Sequence, residues 1–96
     1  MATIYYPNSL PENVILRGKQ SLEDLQKMIG GGYIQFIPVG DDEEMMFDEE
    51  GKLKNLPINV WATEKARPHL FEGDFIVGTA VLFTKEEMHL MKEEAE

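Results

Sequence analysis

Three polar residues in the segment Leu56–Arg67 recur at helical spacing. Asn59, Thr63 and Arg67 fall at i, i+4 and i+8, so a helix there sets an amide, a hydroxyl and a guanidinium on one face. Such a row could hold a carboxylate, a phosphate or a partner's backbone. The same residues also have a purely structural reading. Asn59 caps the helix, Thr63 bonds back to a carbonyl one turn earlier, and Arg67 offsets the C-terminal dipole. Trp61, the only tryptophan, is either a core plug or an interface anchor, and the core is the commoner place for it.

Carboxylates are the other abundant chemistry. Asp41, Asp42, Glu43 and Glu44, followed by Asp48, Glu49 and Glu50, put seven acids into ten residues, and Glu86, Glu87, Glu93, Glu94 and Glu96 crowd the far end of the sequence. Acid runs of this kind commonly form a solvated turn or helix face that keeps a protein soluble. The sharper alternative is a negative face that docks on a basic partner, or that imitates the charge of nucleic acid.

Other chemistries find little support. The run Asp41–Gly51 lacks the alternating ligand series and terminal glutamate of a calcium loop. His69 and His89 stand twenty residues apart, with no metal-ligand spacing between them. Ser9 and Ser21 are the only serines; one lies in a proline-flanked turn and the other reads as a helix cap, and no nucleophile elbow exists. Gly30-Gly31-Gly32 follows a helix instead of preceding one, which suits a C-cap and not a phosphate loop. No cofactor, no metal site and no catalytic set is expected.

Composition narrows the partners. Nine Lys and Arg against eighteen Asp and Glu leave a formal net charge of −9, the wrong sign for binding nucleic acid directly or an anionic membrane surface. No apolar stretch approaches the ~20 residues that span a bilayer. The opening MATIYYPNSLPEN lacks the charged start and apolar run of a signal peptide, and with no cysteine the chain suits a reducing compartment. Cytoplasm is the expected location, the host's cytoplasm if a phage encodes the protein.

Something must position these groups. Ninety-six residues, 43% hydrophobic, make one domain over 1–96. Thr3–Tyr6 reads as a short strand, Pro7, Asn8 and Pro11 as a turn, and Asn13–Arg17 as a second strand. Ser21 caps a first helix with Leu22, Leu25 and Ile29 on its apolar stripe, and the glycine run ends it. Tyr33–Val39 and Met45–Phe47 form a hairpin around an acidic turn. Asn59–Arg67 is a short helix halted by Pro68. Phe75–Phe83, apolar on both faces, is an interior strand. Thr84–Glu87 is a capping box for a last helix over about 85–95, with Met88, Met91 and Ala95 inward. The order β-β-α-β-β-α-β-α is an α+β domain: a mostly antiparallel sheet of about four strands with two or three helices.

Four strings then carry a resemblance: Ser21–Ile34 with its glycine run, Asp48-Glu-Glu-Gly51, Leu56-Pro-Ile-Asn59-x-x-Ala62-Thr63, and Gly73-Asp-x-Ile-Val-Gly78. Together they resemble domain of unknown function 3846, a family of small proteins encoded by bacteriophages, plasmids and bacteria. The likeness covers about residues 21–83, and its most specific string is Leu-Pro-x-Asn-x-x-Ala-Thr. The third glycine, Gly32, and Trp61 in the variable slot depart from the pattern. The resemblance implies no catalytic residue. It implies a mobile-element setting, in which small acidic proteins often bind and block a host component, defence systems included.

The combined expectation is a non-enzymatic accessory protein that binds a host protein with a basic surface, through Asp41, Asp42, Glu43 and Glu44 and the face of Asn59, Trp61, Thr63 and Arg67. The alternative is a binder or sequestering protein for a small anionic, nucleotide-like ligand, held by Arg67 and Asn59. An exposed edge strand leaves a homodimer open.

Overall fold

The computed structural model describes residues 2–15 and 22–87. Two short strands, β1 (Ala2–Tyr5) and β2 (Glu12–Val14), flank the proline-bearing turn. Helix α1 (Leu22–Met28), the hairpin β3 (Ile34–Gly40) and β4 (Glu43–Asp48), helix α2 (Val60–Ala66), a single 3-10 turn at Arg67–His69, and β5 (Ala80–Thr84) follow. The order is the expected one. All five strands join one sheet, β2-β1-β5-β4-β3, with every neighbouring pair antiparallel. All five strands of the expected order are in it, one more than the about four expected in the sheet.

Alternation along the strands builds two cores. Ala2, Ile4, Met46, Val81 and Phe83 face α1 and pack on its Leu25 and on Ile29 just past its end. Val39, Met45, Ala80 and Leu82 face the other way, onto Ala62 and Ala66 of α2. The central β5 is buried on both faces, and fully burying side chains such as Phe83 and Val81 contributes roughly 1.5–3 kcal/mol each. This strand is shorter than the Phe75–Phe83 run suggested. Gly78 takes φ +73°, which turns the chain out of extended geometry, and upstream of it only Val77 makes a bridge, to Ile58.

The element ends follow local chemistry. Gly31 N–H donates to Gln26 O at 2.7 Å and Gly30 N–H to Lys27 O at 3.1 Å, the paired bonds of a Schellman cap, and Gly30 supplies the required positive φ of 87°. At the other end of the domain, Thr84 and Glu87 form the expected capping box. Thr84 N–H donates to Glu87 Oε1 at 3.0 Å and Glu87 N–H to Thr84 Oγ1 at 3.3 Å, and helix runs through 85–87. The end of the expected second strand at Leu16 and Arg17, the Ser21 cap, His89 and the inward stripe Met88, Met91 and Ala95 lie outside the described residues. Among the described residues, no helix is long and apolar enough to cross a membrane.

Candidate functional site

Asn59 is fully buried and bonded on every side. Its Oδ1 accepts from Ala62 N–H at 3.0 Å, capping α2, while Nδ2 donates to Tyr5 O at 2.7 Å and to Gly78 O at 2.8 Å. Thr63, one turn on, is also buried. Its hydroxyl accepts from Ile76 N–H at 2.9 Å and donates to Ile76 O at 3.4 Å, a partner across the fold and not the back-bond to its own helix. Asn59 N–H to Ile76 O and Gly78 N–H to Pro57 O, both 2.8 Å, complete the clamp. The amide and hydroxyl of the expected row therefore fasten the segment 74–78 to α2 and β1. Arg67 points outward and pairs with Glu64 at 2.6 Å.

The strings of the family-like pattern converge here. Leu56 packs against Gly78, where an added Cβ would stand 2.8 Å from Leu56 Cδ1. Gly51 lies equally close to Val77. Asp48, 4% exposed, accepts from Lys54 Nζ at 2.7 Å and from Glu50 N–H at 2.9 Å, which secures the turn after β4. Among the described residues no buried side-chain nitrogen or oxygen lacks a partner, and no group of three or more His, Asp or Glu is placed to hold a metal ion.

What the clamp presents outward is Asp74 and Phe75. Lys52 pairs with Asp74 and lies 4.6 Å over the Phe75 ring. The ammonium, together with the Phe75 N–H, holds the Asp74 carboxyl below the usual carboxylate range. A groove opens on each side of this ridge. One, of about 250 Å³, runs between Ile37 and Phe47 of the hairpin and His69, Leu70 and Phe71. The other, of about 270 Å³, lies among Ile58, Val60, Glu64 and Arg67. Large apolar side chains are left in solvent around them: Phe71 is 89% exposed, and Ile58 and Val60 are more than half exposed. Trp61, about half exposed, stands on the other flank of α2, one turn from Lys65.

Trp61 is thus not a core plug. Ala62, Thr63 and Ala66 occupy the inward face of α2, and the neighbouring position is carried off that face by the helical turn. The acids divide as well. Asp41 and Asp42 are exposed at the β3–β4 turn, Glu43 pairs with Lys65 of α2 at 3.0 Å, and Glu44 is also partnered. Asp48 sits at the opposite end of β4, roughly 17 Å away at strand rise. Burial raises the Tyr5 phenol, with Lys65 acting against it and Glu43 with it. Phe71, Phe75, Lys52 and Asp74 were not legible as a site. An aromatic residue beside the Glu72-Gly73-Asp74 turn was the available signal, but Phe75 read as strand.

A family model described as domain of unknown function (DUF3846) matches residues 3–94. No curated protein and no solved structure matches the chain.

Proposed function

This chain belongs to the domain of unknown function 3846 family, and we propose that it works by binding another protein and not by catalysis. The observation that carries this reading is the apolar surface left in solvent around the Asp74–Phe75 ridge, with Phe71 at 89% exposure and Val60 at 60%. Exposed apolar side chains gathered within a charged rim mark interaction surfaces. Aromatic anchors with few rotatable bonds carry most of the energy at such surfaces. A chain of net charge −9 steers toward a basic partner, with Asp41 and Asp42 as the exposed acids of the β3–β4 turn. In a phage or other mobile element the partner is a host protein, a component of a defence system among the candidates, and binding blocks it.

The small anionic ligand reading draws less support. Asn59 has its amide committed inside the fold, and Arg67 faces Glu64, so the two side chains expected to hold an anion are engaged with the protein itself. The test is capture from host lysate at low and high salt, beside a thermal-shift panel of nucleotides. Retention of one host protein at low salt and its loss at high salt supports the protein-binding reading. An empty capture together with a nucleotide-induced rise in melting temperature overturns it.

A further inference from the structure

The groove between the hairpin and residues 69–77 already holds one cation. Lys52 pairs with Asp74 and lies 4.6 Å from the centre of the Phe75 ring, an ammonium set between a carboxylate and an aromatic side chain. Both bonds that Asp74 accepts, from Lys52 Nζ and from Phe75 N–H, go to Oδ1. Among the described residues, none donates to Oδ2.

A second aromatic is held close by. Asp74 N–H donates to Phe71 O at 2.9 Å, closing a turn over 71–74, and Gly73 takes φ +83°, as the third position of a type II turn requires. The turn brings Phe71 and Asp74 within about 7 Å at Cα, and both line the groove. The Phe71 ring is 89% exposed.

Charge in the groove does not balance. Of its three carboxylates, Asp48 is buried and matched by Lys54, and Asp74 is matched by Lys52. Glu49 lines the same groove, is exposed, and has no cationic partner among the described residues. The one histidine on the wall, His69, adds no formal charge at pH 7. The groove is one positive charge short.

We propose that this groove receives the side chain of an arginine presented by the partner protein, its guanidinium stacked on Phe71 and bonded to Asp74 Oδ2 and the Glu49 carboxylate. The inference rests on the protein-binding reading and names the group that enters. Arginine suits the walls better than lysine. Its guanidinium is flat, stacks on an aromatic ring, and has donors enough for two carboxylates, whereas an ammonium is a point charge that one carboxylate satisfies, as Lys52 shows. Ile37, Phe47 and Leu70 give its methylene stem an apolar wall.

The test uses the whole chain and three blocked tripeptides, acetyl-Gly-X-Gly-amide, with X arginine, citrulline or lysine. NMR titration is run at high salt, which screens the general field of the chain. The arginine peptide is expected to move the signals of Phe71, Asp74 and Glu49 and to leave those of Asp41 and Asp42 in place. Citrulline has the same shape without the charge and is expected to bind about tenfold more weakly, and lysine also binds more weakly than arginine. Phe71→Leu and Glu49→Gln, both at exposed positions, each weaken arginine binding by about fivefold. Asp41→Asn removes the same charge as Glu49→Gln but at the other end of β4, and leaves binding unchanged. The proposal is overturned if the groove signals stay still, if citrulline or lysine binds as well as arginine, or if Asp41→Asn costs as much as Glu49→Gln. These titrations contain no host protein, so their failure is distinct from failure of the protein-binding reading, which capture from lysate tests.

Discussion

Asn59→Ala tests the claim that the most specific string of the family pattern serves as a clamp. The substitution removes three hydrogen bonds, to the Ala62 N–H, the Tyr5 carbonyl and the Gly78 carbonyl. Losing the cap costs about 1 kcal/mol. Each lost donor bond to a buried carbonyl costs about 1 kcal/mol more, so the sum is about 3 kcal/mol. A domain of this size holds roughly 5–15 kcal/mol in all. With a urea slope of about 1.5 kcal/mol/M, the unfolding midpoint falls by about 2 M. Trp61 fluorescence reports the transition, because it is the only tryptophan and stands two residues from the substitution. Asn59→Ser keeps an acceptor for the cap and loses only the two donor bonds, so its cost is about 2 kcal/mol. A shift below 1 kcal/mol for Asn59→Ala, or equal costs for the two variants, would refute the clamp.

Gly78→Ala forces an alanine to φ +73° and toward Leu56, with an expected loss of about 1–3 kcal/mol in the same assay. Lys54→Met removes the ammonium from a carboxylate whose side chain is 3% exposed. Lys54 itself is partly solvated, so denaturation is expected to show a loss of about 1–2 kcal/mol. Lys52 and the Phe75 N–H lower the Asp74 pKa in the folded chain. Its contribution to stability is therefore present above the unfolded value near ~3.9 and is lost as pH falls through the folded value. The stability gap between wild type and Asp74→Asn should stay flat from neutral pH down to about pH 5 and close below about pH 4, and a carboxyl chemical-shift titration of Asp74 should give a midpoint below that of an unstructured peptide.

The order of elements was legible because its signals are local. Leu25 and Ile29 share a helical stripe, three glycines follow them, and Thr84 and Glu87 stand at capping-box spacing. Where Asn59 and Thr63 point was not legible, since their partners lie far away in sequence: Tyr5 is 54 residues from Asn59 and Ile76 is 13 from Thr63. A row at i, i+4 and i+8 has the same spacing whether it faces solvent or a neighbouring strand. Trp61 misled for a related reason. Three small or compact residues, Ala62, Thr63 and Ala66, already fill the inward face of α2, and a size-based expectation cannot see that. The acid run looked continuous in one dimension, but β4 carries its two halves to opposite ends of a strand. Phe75 belongs to an apolar run that reads as strand throughout, and Gly78 is what divides it.

The measurement that bears most directly on partner binding compares capture by wild type, by Phe71→Ser with Val60→Ser, and by Asp41→Lys with Asp42→Lys. All four positions are exposed, so unfolding free energies should stay within about 0.5 kcal/mol of wild type. The account predicts that the apolar pair of substitutions abolishes retention of the host protein at any salt concentration, and that the charge reversals weaken retention mainly at low salt. Retention unchanged in the Phe71/Val60 variant, with its fold intact, would contradict it.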